Sequence, residues 1–235
     1  MRCAAGVLSG LAGSVRVEVA FTAAGFEVAR IYGVLAPIME AAAAVYRDLP
    51  PSGGNLPGRV ASGRYSVVVV APASANTVAK LRHGVADNPV VSAAAQAIKN
   101  RIPLVLLPSD HKLYMETELP CVVDKDACNG CGACISSCPA GAIVVEDGAV
   151  RIDYGKCIGC GKCRAACPSG AVTCWRRVVV ECSPIDVENA WVLSRLDNVK
   201  VVTSCVELGE EIRRLLGIPP GEAGRRVARH PRSTG

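Results

Sequence analysis

Two cysteine runs constrain this chain more than anything else in it. They read Cys128-x2-Cys131-x2-Cys134-x3-Cys138-Pro139 and Cys157-x2-Cys160-x2-Cys163-x3-Cys167-Pro168. The spacing is that of bacterial [4Fe–4S] sites, including the proline that closes each run. Three thiolates on one tight loop each reach a different iron of a cubane, and the intervening glycines let backbone N–H groups approach the sulfurs. The proline turns the chain so that the fourth thiolate meets the other cluster. The expected ligand sets are therefore Cys128, Cys131, Cys134 and Cys167 for the first cluster, and Cys157, Cys160, Cys163 and Cys138 for the second. Structural zinc uses two separated Cys-x2-Cys pairs, so this pattern argues against it.

The runs are copies of one another, 29 residues apart. The likeness extends beyond the ligands: Val123-Asp124 matches Ile152-Asp153, Gly130 matches Gly159, Gly132 matches Gly161, and Gly141-Ala142-Ile143 matches Gly170-Ala171-Val172. A duplication of this kind builds two half-modules that pack on each other. Residues 121–174 are expected to form this small α+β, ferredoxin-type unit, whose chemistry is electron transfer.

The remaining residues of the 235 suffice for one α/β domain, and with aromatics at only 4% its core must be built from Val, Ala, Leu and Ile. Five cysteines stand outside the runs, and Cys3, Cys121, Cys174, Cys182 and Cys205 read as small buried hydrophobes. The net charge of +5 is concentrated towards Arg225, Arg226, Arg229 and Arg232, in what reads as a flexible basic tail over 217–235. Without interleaved aromatics or a recognisable motif, no nucleic-acid partner is expected. No apolar run approaches the ~18 residues of a membrane span. The start, Met1 to Leu11, superficially resembles a signal peptide, but Val15–Val19 continues as an alternating strand, and cluster assembly favours the cytoplasm.

Outside the module, β-rich and helical segments alternate, as in a mainly parallel sheet with helices on both faces. Strands are expected over 15–21, 66–70, 104–107, 177–180 and 199–203. Helices are expected over 24–34, 37–46, 76–83, 92–99, 186–193 and 207–216, the last stopped by Gly217 and Pro219-Pro220, with a loop over 50–58. Because the pattern resumes after Cys174, the module reads as an insertion into a host domain made of residues 1–120 and 175–216.

In an open parallel sheet, cofactors bind in the crevice beyond the strand C-termini. There the run 66–70 leads into Ala71-Pro72-Ala73-Ser74-Ala75-Asn76-Thr77. Small residues let a ring approach the backbone, and Ser74 and Thr77 either bind a phosphate or simply cap the following helix. Thr22, just past its own strand, is placed for a second phosphate contact.

That stretch, continued by Gly84-Val85-Ala86-Asp87-Asn88, resembles the signature of the flavin-containing cysteine-decarboxylase superfamily. Thr22 to Val28, Tyr32-Gly33 and Asp186-Val187-Glu188-Asn189 are similar to its archaeal branch. With a ferredoxin module late in the domain, the whole resembles archaeal iron–sulfur flavoproteins of the dihydromethanopterin reductase (acceptor) type. The resemblance implies a Rossmann-like (flavodoxin-like) fold and a homo-oligomer, a trimer or a multiple of it. It also implies FMN near Pro72, Ser74, Ala75, Asn76 and Thr77, with Thr22 on the phosphate.

Two departures matter. The decarboxylase histidine has Gly58 in its place, and the later Pro-Ala-Met-Asn motif is replaced by Pro108-Ser109-Asp110, so cysteine decarboxylation is disfavoured. Met1–Val7 resembles the first strand, with Gly6 to Gly10 as a phosphate loop and Ser9 as an FMN ligand. However, only Leu8–Ser14 separates it from the next strand, whereas a parallel crossover needs about a dozen residues. Either a helix has been lost, or these residues are the end of that helix.

The expected activity is electron flow from an external carrier such as ferredoxin, through the clusters and FMN, to a dihydropterin. A relay protein without its own substrate is the alternative, and a decarboxylase a weaker one. No catalytic side chain is assigned. Asp110, His111 and Tyr114 read as loop residues near a strand end, and His83 as a helix C-terminal group.

Overall fold

The computed structural model describes residues 1–48 and 55–219. Residues 220–235 of the expected basic tail and 50–54 of the expected loop lie outside these residues, and Leu56–Gly58, expected in that loop, instead open a helix with Pro57 in its first turn. The chain opens with α1 (Arg2–Leu11), β1 (Glu18–Phe21), α2 (Ala23–Ile31), α3 (Leu35–Ala41), β2 (Ala44–Arg47) and α4 (Leu56–Ala61). It continues with β3 (Val68–Ala73), α5 (Ala75–Arg82), α6 (Pro89–Lys99), β4 (Leu104–Pro108) and β5 (Tyr114–Glu118). The cysteine-rich segment holds β6 (Val122–Val123), α7 (Ala133–Ser136), β7 (Ile143–Glu146), β8 (Ala149–Ile152), α8 (Lys162–Ala166) and β9 (Val172–Thr173). The chain then returns through β10 (Arg177–Glu181), α9 (Pro184–Leu193), β11 (Val199–Val201) and α10 (Cys205–Leu216).

The host is a parallel α/β domain. Strand β4 lies between β3 and β11, and β1 pairs in parallel with β2. Thus a strand from beyond the cysteine-rich segment completes a sheet begun before it. Successive side chains of β4 point to opposite faces, and all are buried. Leu104 and Leu106 join one core with α4, α5, α6 and α9, while Val105 and Leu107 join another with α1 and α10. Burial on both faces is why this strand is a continuous apolar run, each side chain contributing about 1.5–3 kcal/mol.

Three sequence expectations need correction. Of the two readings of Met1–Val7, the strand with a phosphate loop fails and the helical one holds: the segment is part of α1, whose Ala5 and Leu11 face the core. Seven residues cannot make a parallel crossover, and the helix packs instead against α3 and α10. Secondly, the expected helix over 37–46 ends at Ala41. Val45 and Tyr46 suit a pleated strand better, and β2 pairs there with β1. Thirdly, the strand at 177–180 does not enter the parallel sheet. It pairs antiparallel with β5, which begins at the expected loop residue Tyr114, and the two form an exposed ribbon leading to the cysteine-rich segment.

The β1–β2 pair is tied to α4 and to the segment before β3 by Glu18, at the start of β1, whose side chain is only 4% exposed. Its carboxylate accepts hydrogen bonds from Tyr65 (2.6 Å), Tyr46 (2.9 Å) and Arg59 (2.9 Å). Burial pushes its pKa up, but the bonds from Tyr65, Tyr46 and Arg16 and the Arg59 charge outweigh it and hold the carboxyl below the usual value. A depressed carboxylate stabilises the fold above its unfolded pKa, and that contribution is lost as pH falls through the folded value. Glu18→Gln should therefore destabilise the protein by about 1–3 kcal/mol at pH 7. Denaturant melts should show the gap to wild type narrowing below about pH 4; a gap independent of pH would refute this.

Candidate functional site

The cysteine-rich segment carries its duplication into three dimensions. Helices α7 and α8 follow left-handed glycines, Gly132 (φ 75°) and Gly161 (φ 72°), which let each loop turn back on itself. β6 pairs with β9, β7 pairs with β8, and the two halves share a core of Ile143, Val150, Val172 and buried cysteines. Cys138, Cys157, Cys160 and Cys163 line one cavity. At the other site, burial raises the Cys134 thiol pKa, and its further neighbours in charge are Cys167, Cys128 and Cys131. The chain therefore gathers its eight run cysteines into two sets of four, each drawing its fourth member from the other run. The Ala142 amide donates to Cys138 Sγ at 3.3 Å, and the Ser169 hydroxyl, then nearby backbone amides, lower the Cys167 pKa. All-thiol sets held by backbone donors fit iron–sulfur clusters.

The C-terminal edge of the sheet is the second site. Thr22 follows β1 and caps α2, its hydroxyl accepting the Gly25 amide at 2.9 Å. Ser74 follows β3 and caps α5, accepting from Thr77 N at 3.4 Å, while the two side-chain oxygens lie 3.1 Å apart. Because β1 is parallel to β2, and β3 to β4 and β11, Thr22 and Ser74 mark the strand C-termini of the two groups. The Ala71–Pro72 peptide is cis; Ser74 and Asn76 are exposed, Pro72 and Ala75 are half-buried, and Thr77 is buried. Two helix N-termini with hydroxyl caps and small flanking residues fit a phosphorylated planar cofactor. Ser9 does not join them. It is exposed on α1, in a helix rather than a phosphate loop.

Asp110, beyond β4, accepts a hydrogen bond from the buried Cys182 thiol at 3.1 Å. Burial, then the Asp110 carboxylate, pushes that thiol up to about 11, so it stays protonated at neutral pH. His111 Nδ1 lies 3.3 Å from the Pro108 carbonyl, and His83 ends α5. Asn189 is buried and accepts from Arg82 at 2.6 Å, so it joins α9 to α5.

Sequence reasoning missed the contact between the two units. Arg30, in the last turn of α2, donates to the carbonyls of Cys157 (2.7 Å) and Tyr154 (3.0 Å). Gly33 and Gly159 bring two backbones together: a Cβ on Gly33 would lie 2.9 Å from the Gly159 carbonyl, and one on Gly159 would collide with the Ile31 carbonyl. The Tyr32 hydroxyl donates to the Glu118 carbonyl at 2.6 Å, and its ring lies 5.4 Å from that of Trp175. The expectation for the lone cysteines also fails for four of the five. Cys3 pairs with Cys205 and Cys121 with Cys174 as disulfides, and Cys3 is exposed. No spacing rule pairs residues 202 or 53 positions apart; proximity arises only from α1 against α10 and β6 against β9.

Fold and site together define an iron–sulfur flavoprotein. Residues 6–121 match the Flavoprotein family and residues 120–178 the 4Fe-4S dicluster domain. The chain is 38% identical over 204 residues to dihydromethanopterin reductase (acceptor) of Methanocaldococcus jannaschii, covering 83% of this chain and 82% of that protein. It is 33% identical over 130 residues to the Methanosarcina mazei protein of the same name, covering 52% of this chain and 54% of the other. It belongs to the dihydromethanopterin reductase (acceptor) family. In fold it resembles Burkholderia xenovorans DmrB in complex with FMN, a protein described as a cubic cage for redox transfer. There the TM-score is 0.57 at 23% identity, covering 90% of this chain and 87% of that one. Among the described residues, no helix is long and apolar enough to cross a membrane.

Proposed function

We propose that this chain reduces a dihydropterin of the dihydromethanopterin class with electrons from an external one-electron carrier of ferredoxin type. The observation that carries this reading is the family match, which covers more of the chain than either the flavoprotein or the dicluster part alone. The clusters supply single electrons, and FMN collects two and releases them as hydride. Cys128, Cys131, Cys134 and Cys167 hold one cluster, and Cys157, Cys160, Cys163 and Cys138 the other. Thr22, Ser74 and Thr77 present hydroxyls to the FMN phosphate at two helix N-termini. Pro72, Ala75 and Asn76 flank the flavin, and the small side chains Ala71 to Ala75 let it approach the backbone. The subunits assemble as a homo-oligomer, a trimer or a multiple of it.

The test is anaerobic reconstitution with iron, sulfide and FMN, followed by dihydropterin turnover. Each of two donors is used in turn, reduced ferredoxin and a small reductant that reaches flavin directly. Wild type should turn over with both. Cys131→Ala should lose at least about a hundredfold with ferredoxin and far less with the small reductant, because hydride leaves from the flavin. Flavin that reduces through the clusters without any pterin turnover would refute the reading.

A further inference from the structure

We propose that Cys121–Cys174 is a redox-active disulfide, opened by electrons delivered through the cluster that Cys163 helps to hold. The proposal rests on the two-cluster reading above. It begins from three sulfurs: the Sγ atoms of Cys121, Cys163 and Cys174 all lie within 4.8 Å of one another. Cys163 lines the cavity shared with Cys138, Cys157 and Cys160, and Cys121 itself lines that cavity. The bond between Cys121 and Cys174 is thus in near contact with a cluster-ligating sulfur.

Burial decides how such a bond can be reduced. Cys121 is 2% and Cys174 6% exposed. An attacking thiolate must reach a disulfide sulfur, and here none can enter from solvent. The path that remains is electron transfer from the adjacent cluster. Cys3–Cys205 is the internal contrast. It ties α1 to the start of α10, Cys3 is exposed, and a dissolved thiol reaches it directly.

The position adds a second reason. Cys121 precedes β6 and Cys174 follows β9, so the pair closes the neck where both strands pass between the cluster unit and the flavin domain. Beyond it the chain is fixed by Trp175 N donating to the Leu119 carbonyl (2.9 Å), and by contacts of the Trp175 ring with the Tyr32 ring and with the Arg2 guanidinium. The Tyr154 hydroxyl donates to the Cys121 carbonyl at 2.8 Å, and the Tyr154 carbonyl accepts from Arg30 of the flavin domain. A two-electron group therefore sits between one-electron carriers and the domain that uses electron pairs.

The balance is simple. The Sγ–Sγ bond breaks as two electrons arrive singly, each oxidising one reduced cluster, and each sulfur takes one proton from solvent to give two thiols. The external one-electron donor then reduces the clusters again.

The test uses the full chain with both clusters. Anaerobic protein is photoreduced until EPR shows the clusters reduced, then quenched in acid and alkylated. It is next treated with thiol and alkylated with a heavier reagent, and peptide masses are read. Cys121 and Cys174 should carry the heavy label in oxidised protein and the light label in reduced protein. In Cys160→Ser, which lacks a ligand of the adjacent cluster, they should keep the heavy label under the same illumination. The proposal is overturned if the pair stays heavy after full cluster reduction, is light in oxidised protein, or is reduced equally in Cys160→Ser. If Cys160→Ser does not fold, reductive titration of the Cys121→Ser/Cys174→Ser protein decides. It should take up about two electrons fewer than wild type with both cluster signals intact, and an equal uptake overturns the proposal. Wild type without cluster signals would instead sink the cluster reading on which this one rests.

Discussion

Cys138→Ala will remove the cluster held by Cys157, Cys160 and Cys163 and leave the one bound by Cys138's own sequence neighbours. The reason is geometric. Cys138 lines the cavity of the second run, whereas Cys134 has Cys167, Cys128 and Cys131 as its charge neighbours. Iron should fall from about eight to about four per chain, with one of two EPR signals lost. Cys167→Ala should remove the complementary signal. Cys138→Ala also takes away the sulfur that accepts the Ala142 amide, so the turn after α7 loosens in that variant. Loss of the cluster at Cys128, Cys131 and Cys134 in Cys138→Ala would show that each run feeds its own cluster and would defeat the crossed assignment.

What the sequence made legible was whatever a local pattern dictates. Each run places its first three cysteines on a loop whose glycines must adopt positive φ, and Gly130, Gly132, Gly159 and Gly161 do so. The apolar run at β4 reads as a strand buried on both faces, and it is one; that at β3 is also a strand, but it lies at an edge and leaves Val69 exposed. Ser74 precedes a helix that it caps. Tertiary partners were not legible. The Ala-rich stretch before Val45 carries helix propensity through to Tyr46, and only pairing with β1 decides that β2 is a strand. Ser9 was misread because a Gly-rich opening looks like a phosphate loop until α3 and α10 are seen packed on it. Gly33 appeared as part of a resemblance, but nothing in its neighbourhood shows that Gly159 must lie against it.

That glycine pair gives the second large effect. Gly159 adopts φ 63°, and a Cβ there would overlap the Ile31 carbonyl and crowd the Gly33 amide, backbone atoms that cannot swing aside. Gly159→Ala therefore adds a left-handed backbone penalty to a collision, together about 2–4 kcal/mol against the docked arrangement. Gly148 is the control. It has φ 73° in the β7–β8 turn, with open space around its Cβ direction, so Gly148→Ala carries the backbone penalty alone. In Gly159→Ala the cluster unit should leave its seat on α2, and Arg30 should lose the Cys157 and Tyr154 carbonyls. Amide exchange should speed up over residues 30–34 and 154–160, while iron content stays at the wild-type level. Flavin reduction driven by ferredoxin should slow by at least about tenfold, as expected when docking is opposed by more than about 1.4 kcal/mol. Reduction by a small reagent that reaches flavin directly should keep its rate. If Gly159→Ala matches Gly148→Ala in exchange and in ferredoxin-driven rate, the contact between α2 and the Cys157–Cys160 loop is not what seats the cluster unit on the flavin domain.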